Sequence, residues 1–437
     1  MPKITNNKNK FFRVLIGKGL IFAVIFFSLL FAFRKDASAS LKAGAALSTA
    51  TSVKNEVATV AASVYASDIK NDAFIKIFNQ KSKGAVKTVS KHYAIQAITT
   101  GRFLSKGIQT AVATRHRIIL YNLSLNGKLA KIAQYNLSLR SNPIYLGSYI
   151  ISKNNRALVL TKSQLGEIIS YLLVYRNGKL LKLTRNYHVF LRAMRIGNSG
   201  MVLTGQEPIS VVSSDNYFNN AVQINYPIGQ FGGDTYIYKF DKNTDSLVKT
   251  QKLPLYNGVA LYGTVYGNIK GNGKNYLLAL SNSGNLMMIN NKGKTVYSGL
   301  KTYGGSPLQV RVPHFGGVVS SNFTGSSQIG GLIYNIPAKV TGFYKNNKKI
   351  EVIVLKNYGQ NGFMRSLNYY TKSSIYGLAW NSTDFYPLWK TKPVAGYSAG
   401  FSIFKSGGKA YLADAIVEAG SIFTKSKSYI IIFKLPL

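Results

Sequence analysis

From about residue 90 onward, the chain alternates short apolar runs with polar turns that are rich in Gly, Asn, Ser and Lys. The runs are too short for amphipathic helices and are bounded by turn-forming residues, which predicts β-strands. Many strands joined by tight turns predict an all-β fold, either a sandwich, a barrel or a propeller. The clearest runs are residues 118–122, 171–175, 276–280, 352–355 and 429–433.

An internal repeat distinguishes these architectures. A Gly-rich polar turn followed by an apolar run recurs six times. The first copies lie about 50 residues apart, the size of a four-stranded propeller blade. Because about 350 residues follow the N-terminal region, we expect a β-propeller of about seven blades. The long gaps at 205–235 and 305–335 would hold a seventh blade or insertions. The six copies are residues 101–113, 147–160, 196–203, 267–279, 342–354 and 400–412.

Residues 1–39 have the three parts of a secretory signal. Basic residues precede an apolar run at 20–33, and the small residues Ala37 and Ala39 follow as a cleavage site. As a helix the run would span about 21 Å, less than the ~30 Å hydrocarbon core of a bilayer. We therefore expect cleavage and export to the periplasm or cell surface. The alternative is an uncleaved anchor, which Arg34 and Lys35 favour, and which would be the chain's contact with the membrane.

The segment between this signal and the repeats has a different composition. Residues 40–88 are rich in Ala, with Val and Leu at mixed helical spacings. This pattern predicts a helical or loosely ordered leader. The propeller is accordingly assigned to residues 89–437.

The chain has 55 Lys and Arg residues against 14 Asp and Glu residues, which gives a net charge of +41. The basic residues occur in nearly every turn, so the unusual feature is the scarcity of acids. One interpretation is attraction to a polyanion, with no specific nucleic acid implied. The other is adaptation to an acidic medium, in which ionised carboxylates stop contributing to stability.

Catalytic chemistry has little support in the sequence. There is no Cys, and the four His residues are far apart. No nucleophile elbow, zinc motif or phosphate loop is present. We predict no catalytic residue, no metal ligand and no cofactor, and therefore no enzyme. The alternative is an exported polysaccharide hydrolase or lyase with paired carboxylates in the propeller channel, drawn from Asp215, Asp234, Asp384 and Asp414.

Residues 267–277 carry a recognisable motif. They resemble the FG-GAP or VCBS repeat, the blade of integrin-α-like propellers, whose loop alternates Gly with acidic residues. This chain keeps the glycines and the following strand, but its three acid positions carry Asn268, Lys270 and Asn272. Other stretches are similar to a group of exported bacterial VCBS-repeat proteins, across about residues 90–437: 191–192, 203–206, 303–305, 374–380, 388–391, 396–397 and 425–431.

The resemblance implies a propeller outside the cytoplasm and no known reaction. In the family the loop acids can bind calcium, an ion that takes 6–8 oxygen ligands. Lys270 would place a cation inside such a cage. We therefore expect these loops to bind no calcium and to keep their turns through Gly and Asn in left-handed backbone conformations.

A group of aromatic residues near the C-terminus has two interpretations. Trp380, Trp389 and Tyr386 form either an exposed contact surface or packing between blades.

Taken together, the sequence predicts a non-catalytic exported propeller that binds a protein partner or an anionic cell-envelope polymer. Polyanion binding driven by net charge alone is a further alternative.

Overall fold

The chain divides into two compact units, Met1–Phe74 and Ile75–Leu437. A computed structural model describes parts of the second unit: residues 76–78, 85–152, 155–197, 200–208, 233–253, 259–281, 283–312, 332–344, 349–359, 370–420 and 426–436. The predicted signal, with Ala37 and Ala39, lies outside the described residues, as does the first part of the predicted leader.

The described residues form strands connected by turns, with a single 3₁₀ turn at Leu261–Gly263. No helix among them is long and apolar enough to cross a membrane. The strands are β1 (Lys76–Phe78), β2 (Ala85–Lys87), β3 (Ile95–Gly101), β4 (Gln109–Thr114), β5 (Arg117–Leu123), β6 (Leu129–Asn136), β7 (Ser141–Ser152), β8 (Asn155–Gln164), β9 (Glu167–Arg176), β10 (Lys179–Lys182), β11 (Phe190–Arg195), β12 (Met201–Gln206), β13 (Thr235–Asp241), β14 (Ser246–Leu253), β15 (Thr264–Gly267), β16 (Tyr276–Leu280), β17 (Asn285–Ile289), β18 (Thr295–Thr302), β19 (Gln309–Val312), β20 (Leu332–Asn335), β21 (Val340–Tyr344), β22 (Ile350–Gly359), β23 (Tyr370–Trp380), β24 (Phe385–Thr391), β25 (Val394–Ala395), β26 (Tyr397–Ser406), β27 (Lys409–Glu418) and β28 (Lys427–Lys434).

These strands form a six-bladed β-propeller. Blades one to four are the antiparallel sheets β3–β6, β7–β10, β11–β14 and β15–β18, and blade five is β21–β24. Blade six is β26, β27 and β28, with β2 as its outermost strand. The first strand of each blade lies innermost, and β3 contacts the inner strands of the blades on both sides of it.

The predicted propeller is confirmed, with six blades rather than about seven. Each of the six repeats detected in the sequence coincides with the first hairpin of one blade. The long gaps account for the difference. The gap at 205–235 separates two paired strands of blade three, and the gap at 305–335 contains the two-stranded ribbon β19–β20. Length alone therefore overestimated the number of blades.

The ring is closed by the N-terminal strand β2. Ala85 lies opposite Phe433 and Val86 opposite Ile432 in an antiparallel pair. Just beyond this pair, the Thr88 amide donates to Ile430 O at 2.9 Å, and the Ile430 amide donates to the side-chain oxygen Thr88 Oγ1 at 2.9 Å. The last blade is thus completed by the first part of the described chain.

This closure corrects the predicted domain boundary. The sequence predicts a helical or loosely ordered leader over residues 40–88, yet residues 76–78 and 85–87 form β1 and β2. β1 runs parallel to β24 at the outer edge of blade five. The propeller therefore begins before residue 89. Three-residue strands carry too little apolar periodicity to be recognised in an Ala-rich context.

Strand position explains the apolar patterns. A middle strand of a blade packs against neighbouring blades on both faces, so its residues are apolar in succession, as in β16, where all five residues are buried. An outer strand faces water on one side. In β18, exposed and half-buried residues accordingly alternate.

Candidate functional site

A cavity of about 630 Å³ lies in the centre of the ring. It opens where the inner strands end and turn into their first hairpins, because its wall includes Arg195 and Tyr344, the last residues of β11 and β21. The inner strands of all six blades contribute to the wall. A cavity of this size is in the range of small-ligand sites.

The cavity wall is strongly basic. None of the described residues that line it is an Asp or Glu. The potential inside is therefore positive and is focused by the protein around it. The basic lining residues are Arg102, Arg156, Arg192, Arg195, Lys339 and Lys405.

Arg192 is a structural part of this wall. Its Nη1 atom donates to the carbonyl oxygens of Leu261 at 2.5 Å, Tyr262 at 2.9 Å and Thr264 at 2.8 Å, and Nη2 donates to Val340 O at 2.5 Å. Burial lowers the pKa of the guanidinium, although Arg stays protonated in proteins. Arg192 thus joins blade three to blades four and five and adds a fixed charge to the channel.

Lys339 stands deeper in the channel, just before β21. Its ammonium group donates to Phe401 O at 2.9 Å. Burial, with a further effect of the Arg192 charge, lowers the pKa of Lys339 to about 7. Lys339 also lines a second cavity of only about 50 Å³. The wide part of the channel therefore narrows at this side chain.

Arg102 and Arg156 lie nearer the opening. Arg102 follows β3 of blade one and is exposed, whereas Arg156 on β8 of blade two is half-buried. Arg156 Nη1 donates to Ser148 Oγ at 3.3 Å. Burial lowers the pKa of Arg156, and the charge of Arg102 lowers it further. The second effect has the direction expected of two like charges that line one cavity.

Two more cations pack against aromatic rings. The Arg195 guanidinium lies 4.0 Å from the centre of the Tyr344 ring. Lys405 Nζ lies 5.9 Å from the centre of the Phe343 ring. Such contacts hold a cation in place without neutralising its charge.

The described residues contain two ion pairs, and both lie outside the channel. Lys249 pairs with Glu207, and Lys252 pairs with Asp234 at 2.7 Å, on the outer part of blade three. Within the part of the chain that the structure describes, no carboxylate therefore compensates the channel cations.

Of the acids proposed for catalysis, none that the structure describes lines this channel. Asp215 lies outside the described residues, and Asp234 is in the ion pair above. Asp384 accepts hydrogen bonds from Tyr297 Oη and from the Phe385 amide. Asp414 is buried in β27. Over the described ranges there is also no group of three potential metal-ligating side chains.

The loop at 267–275 is closed by its own side chains. Asn268 Oδ1 accepts from the Gly273 amide at 3.2 Å, and Asn272 Oδ1 accepts from the Lys274 amide at 3.1 Å. Gly271 and Gly273 have φ angles of 75° and 80°. The expected left-handed turns are thus supplied by Gly alone, since neither Asn has a positive φ.

The aromatic residues separate into two groups. Trp380 and Trp389 are 5% and 2% exposed, so they supply packing area between strands. Trp389 Nε1 also donates to Glu351 Oε1 at 2.5 Å. Tyr386 is 40% exposed and is the member of the three that could contact a partner.

The basic channel was not predicted from the sequence. Its cations come from positions between 102 and 405, so no local motif contains them. One signal was available. Aligning the six repeats on their first glycine places Arg102, Ser148 and Phe343 at the same position, and all three line the cavity.

Comparison with solved structures finds distant similarity. BBS1N, solved in complex with ARL6DN, is 11% identical with a TM-score of 0.39, and the match covers 80% of this chain and 97% of that chain. Sqt1 of Saccharomyces cerevisiae is 9% identical with a TM-score of 0.34, covering 83% and 100%. A protein assigned as a 6-phosphogluconolactonase from Bacteroides uniformis is 8% identical with a TM-score of 0.34, covering 76% and 83%.

No protein-family model and no curated protein matches the chain. The strand pairing therefore defines the class of protein: a six-bladed β-propeller with a basic central channel. The similarity of residues 267–277 to FG-GAP repeats stays a prediction.

Proposed function

We propose that this chain is a non-catalytic, exported binding module whose ligand is an anionic polymer of the cell envelope. One observation carries the proposal: the channel wall has six basic side chains and no acid among its described residues. Such a wall attracts anions and repels cations. General acid–base hydrolysis of a polysaccharide would instead need carboxylates at this place.

The charge of the whole chain supports an extended polyanion over a folded protein partner. The net charge is +41, and the basic residues are spread over most turns. A polymer with charge at every unit can contact many of these turns at once. A protein partner would present a limited acidic patch, which a distributed charge matches less well.

The export part of the proposal rests on the N-terminal sequence. The basic start, the apolar run at 20–33 and the site at Ala37 and Ala39 have the order of a secretory signal. The resemblance to exported VCBS-repeat proteins agrees with it. Mass spectrometry of the protein purified from its source tests this point, since cleavage is expected after Ala39.

The binding proposal is tested with fluorescent polygalacturonate and with neutral dextran of matched length. We expect the full chain to bind the polyuronate and not the dextran, with an affinity that falls as salt is added. Equal binding of dextran, or no binding of any polyanion by a folded chain, would overturn the proposal. The second result would favour a protein partner.

A further inference from the structure

Arg102 of blade one and Arg156 of blade two line the same cavity, and no Asp or Glu is among its described lining residues. Because both side chains line this cavity, their like charges oppose each other, and the pKa of Arg156 is accordingly lowered by burial and by the charge of Arg102. Keeping such a pair in a partly buried wall costs free energy in the ligand-free state. A bound anion would remove that cost, and this arrangement is common at sites that bind oxyanions.

The chemistry of the pair defines the group it would bind. A guanidinium is planar, and its parallel N–H donors match the two oxygens of a carboxylate or two oxygens of a phosphate. Lys405, exposed at the same opening, adds a third positive charge. The half-buried ring of Phe343 adds an apolar surface that a sugar ring can contact.

The shape of the channel limits the size of the ligand. The wide part has a volume of about 630 Å³, whereas the cavity beyond Lys339 has only about 50 Å³. A polymer could enter this space but would not pass through it. The channel therefore fits a short segment with a free end.

Resting on the proposed function, we propose that the channel is a discrete site for one acidic chain end, a compact oxyanion-bearing segment held by Arg102 and Arg156. The rest of the polymer would contact the basic turns outside. Binding at the channel would then have a stoichiometry of one ligand per chain. Binding to the distributed surface charge would not be limited to one ligand per chain.

The test uses isothermal titration calorimetry on the full chain with trigalacturonate, with inorganic tripolyphosphate and with neutral maltotriose. We expect one site per chain for at least one of the two anions and none for maltotriose. The carboxylate and phosphate probes show which oxyanion the site prefers. Binding of maltotriose at the same affinity, or binding of neither anion, would overturn the inference.

Matched variants locate the site. The double variant Arg102→Gln with Arg156→Gln removes two charges from the channel. The control, Lys292→Gln with Lys294→Gln, removes two charges from the exposed hairpin between β17 and β18. We expect the channel variant to bind the preferred anion at least about 10-fold more weakly, because charged hydrogen bonds are lost, and the control to bind like the wild type. Lys405→Gln, at an exposed position, provides a second channel variant.

The outcomes separate the two proposals. If the wild type binds neither polygalacturonate nor the short anions, the proposed function fails. If polygalacturonate binds and both double variants weaken it equally, the charge acts diffusely and only the channel inference fails. Thermal unfolding of each variant confirms that a loss of binding is not a loss of fold.

Discussion

The ammonium group of Lys270 lies 5.2 Å from the centre of the Trp380 ring and 5.1 Å from that of Tyr276. Lys270 lies in the loop whose sequence resembles an FG-GAP repeat, at the position where such a repeat has an acid, and Trp380 belongs to β23 of blade five. The contact therefore connects blades four and five. A position that would hold a calcium ligand in such a repeat here holds a cation against aromatic rings.

Calcium should not affect the stability of this protein. Lys270 brings positive charge to the loop, and the oxygens of Asn268 and Asn272 already accept backbone hydrogen bonds. We expect the same Tm with added calcium and with chelator, measured by scanning calorimetry. A calcium-dependent rise in Tm would show that our interpretation of Lys270 is wrong. The triple variant Asn268→Asp, Lys270→Asp and Asn272→Asp should, in contrast, become less stable in chelator, because three carboxylates then repel each other.

The contact between Lys270 and the aromatic rings should contribute measurably to stability. Lys270→Ala is expected to lower the free energy of unfolding by about 0.5–1 kcal/mol, the usual size of a cation–π interaction at a partly exposed site. Lys274→Ala is the matched control, since Lys274 is exposed in the same loop. Urea unfolding measures both, and equal effects would contradict the assigned role of Lys270.

The buried carboxyl of Asp414 should make the fold more stable in mild acid. Burial raises its pKa to about 7, although Ser398 Oγ donates a hydrogen bond to Oδ1 at 2.5 Å. In the unfolded chain the pKa is about 3.9, so between about pH 4 and pH 7 the folded state holds a proton that the unfolded state has lost. Stability contributed by this group is complete below about pH 4 and is lost as the pH rises to about 7.

The Asp414 effect can be isolated by substitution. From the pKa difference, the wild type should lose up to about 4 kcal/mol of stability between about pH 4 and pH 7. Asp414→Asn should flatten this part of the curve, whereas Asp245→Asn, in an exposed turn, should not. An unchanged pH profile in Asp414→Asn would overturn the assignment. A free energy of unfolding that rises in mild acid would also support the hypothesis of an acidic habitat.

Closure of the ring should depend on Thr88. Its Oγ1 atom accepts a hydrogen bond from the buried Ile430 amide at 2.9 Å. Thr88→Ala leaves that donor without this acceptor, which should cost about 1–3 kcal/mol. Thr295→Ala, at an exposed position at the start of β18, is the control. Chemical unfolding measures the free energy of unfolding of both variants, and equal values would contradict a role for Thr88 in closure.

The local parts of the fold were predictable from the sequence because they are encoded locally. In the hairpin after Gly267, the positive φ angles of Gly271 and Gly273 appear in the sequence as a Gly-rich turn, and the buried β16 appears as a continuous apolar run.

The non-local parts were not predictable in this way. Arg102 and Arg156 line one cavity only because two blades are neighbours in a ring, and nothing in the residues around either one indicates a shared cavity. The same applies to β2, whose partner strand β28 lies at the other end of the chain. Pairing of this kind is a property of topology, which the local pattern of apolar residues does not contain.

The pairing of β2 with β28 also has a consequence for the order of folding. Thr88 and Ile430 are 342 positions apart, so their contact has a very high sequence separation and requires a large loop-closure entropy. Such contacts form slowly, and this one has to wait until the last strand has been synthesised. A nascent or truncated chain without β28 therefore leaves an open ring with an unpaired strand edge, which is prone to aggregation.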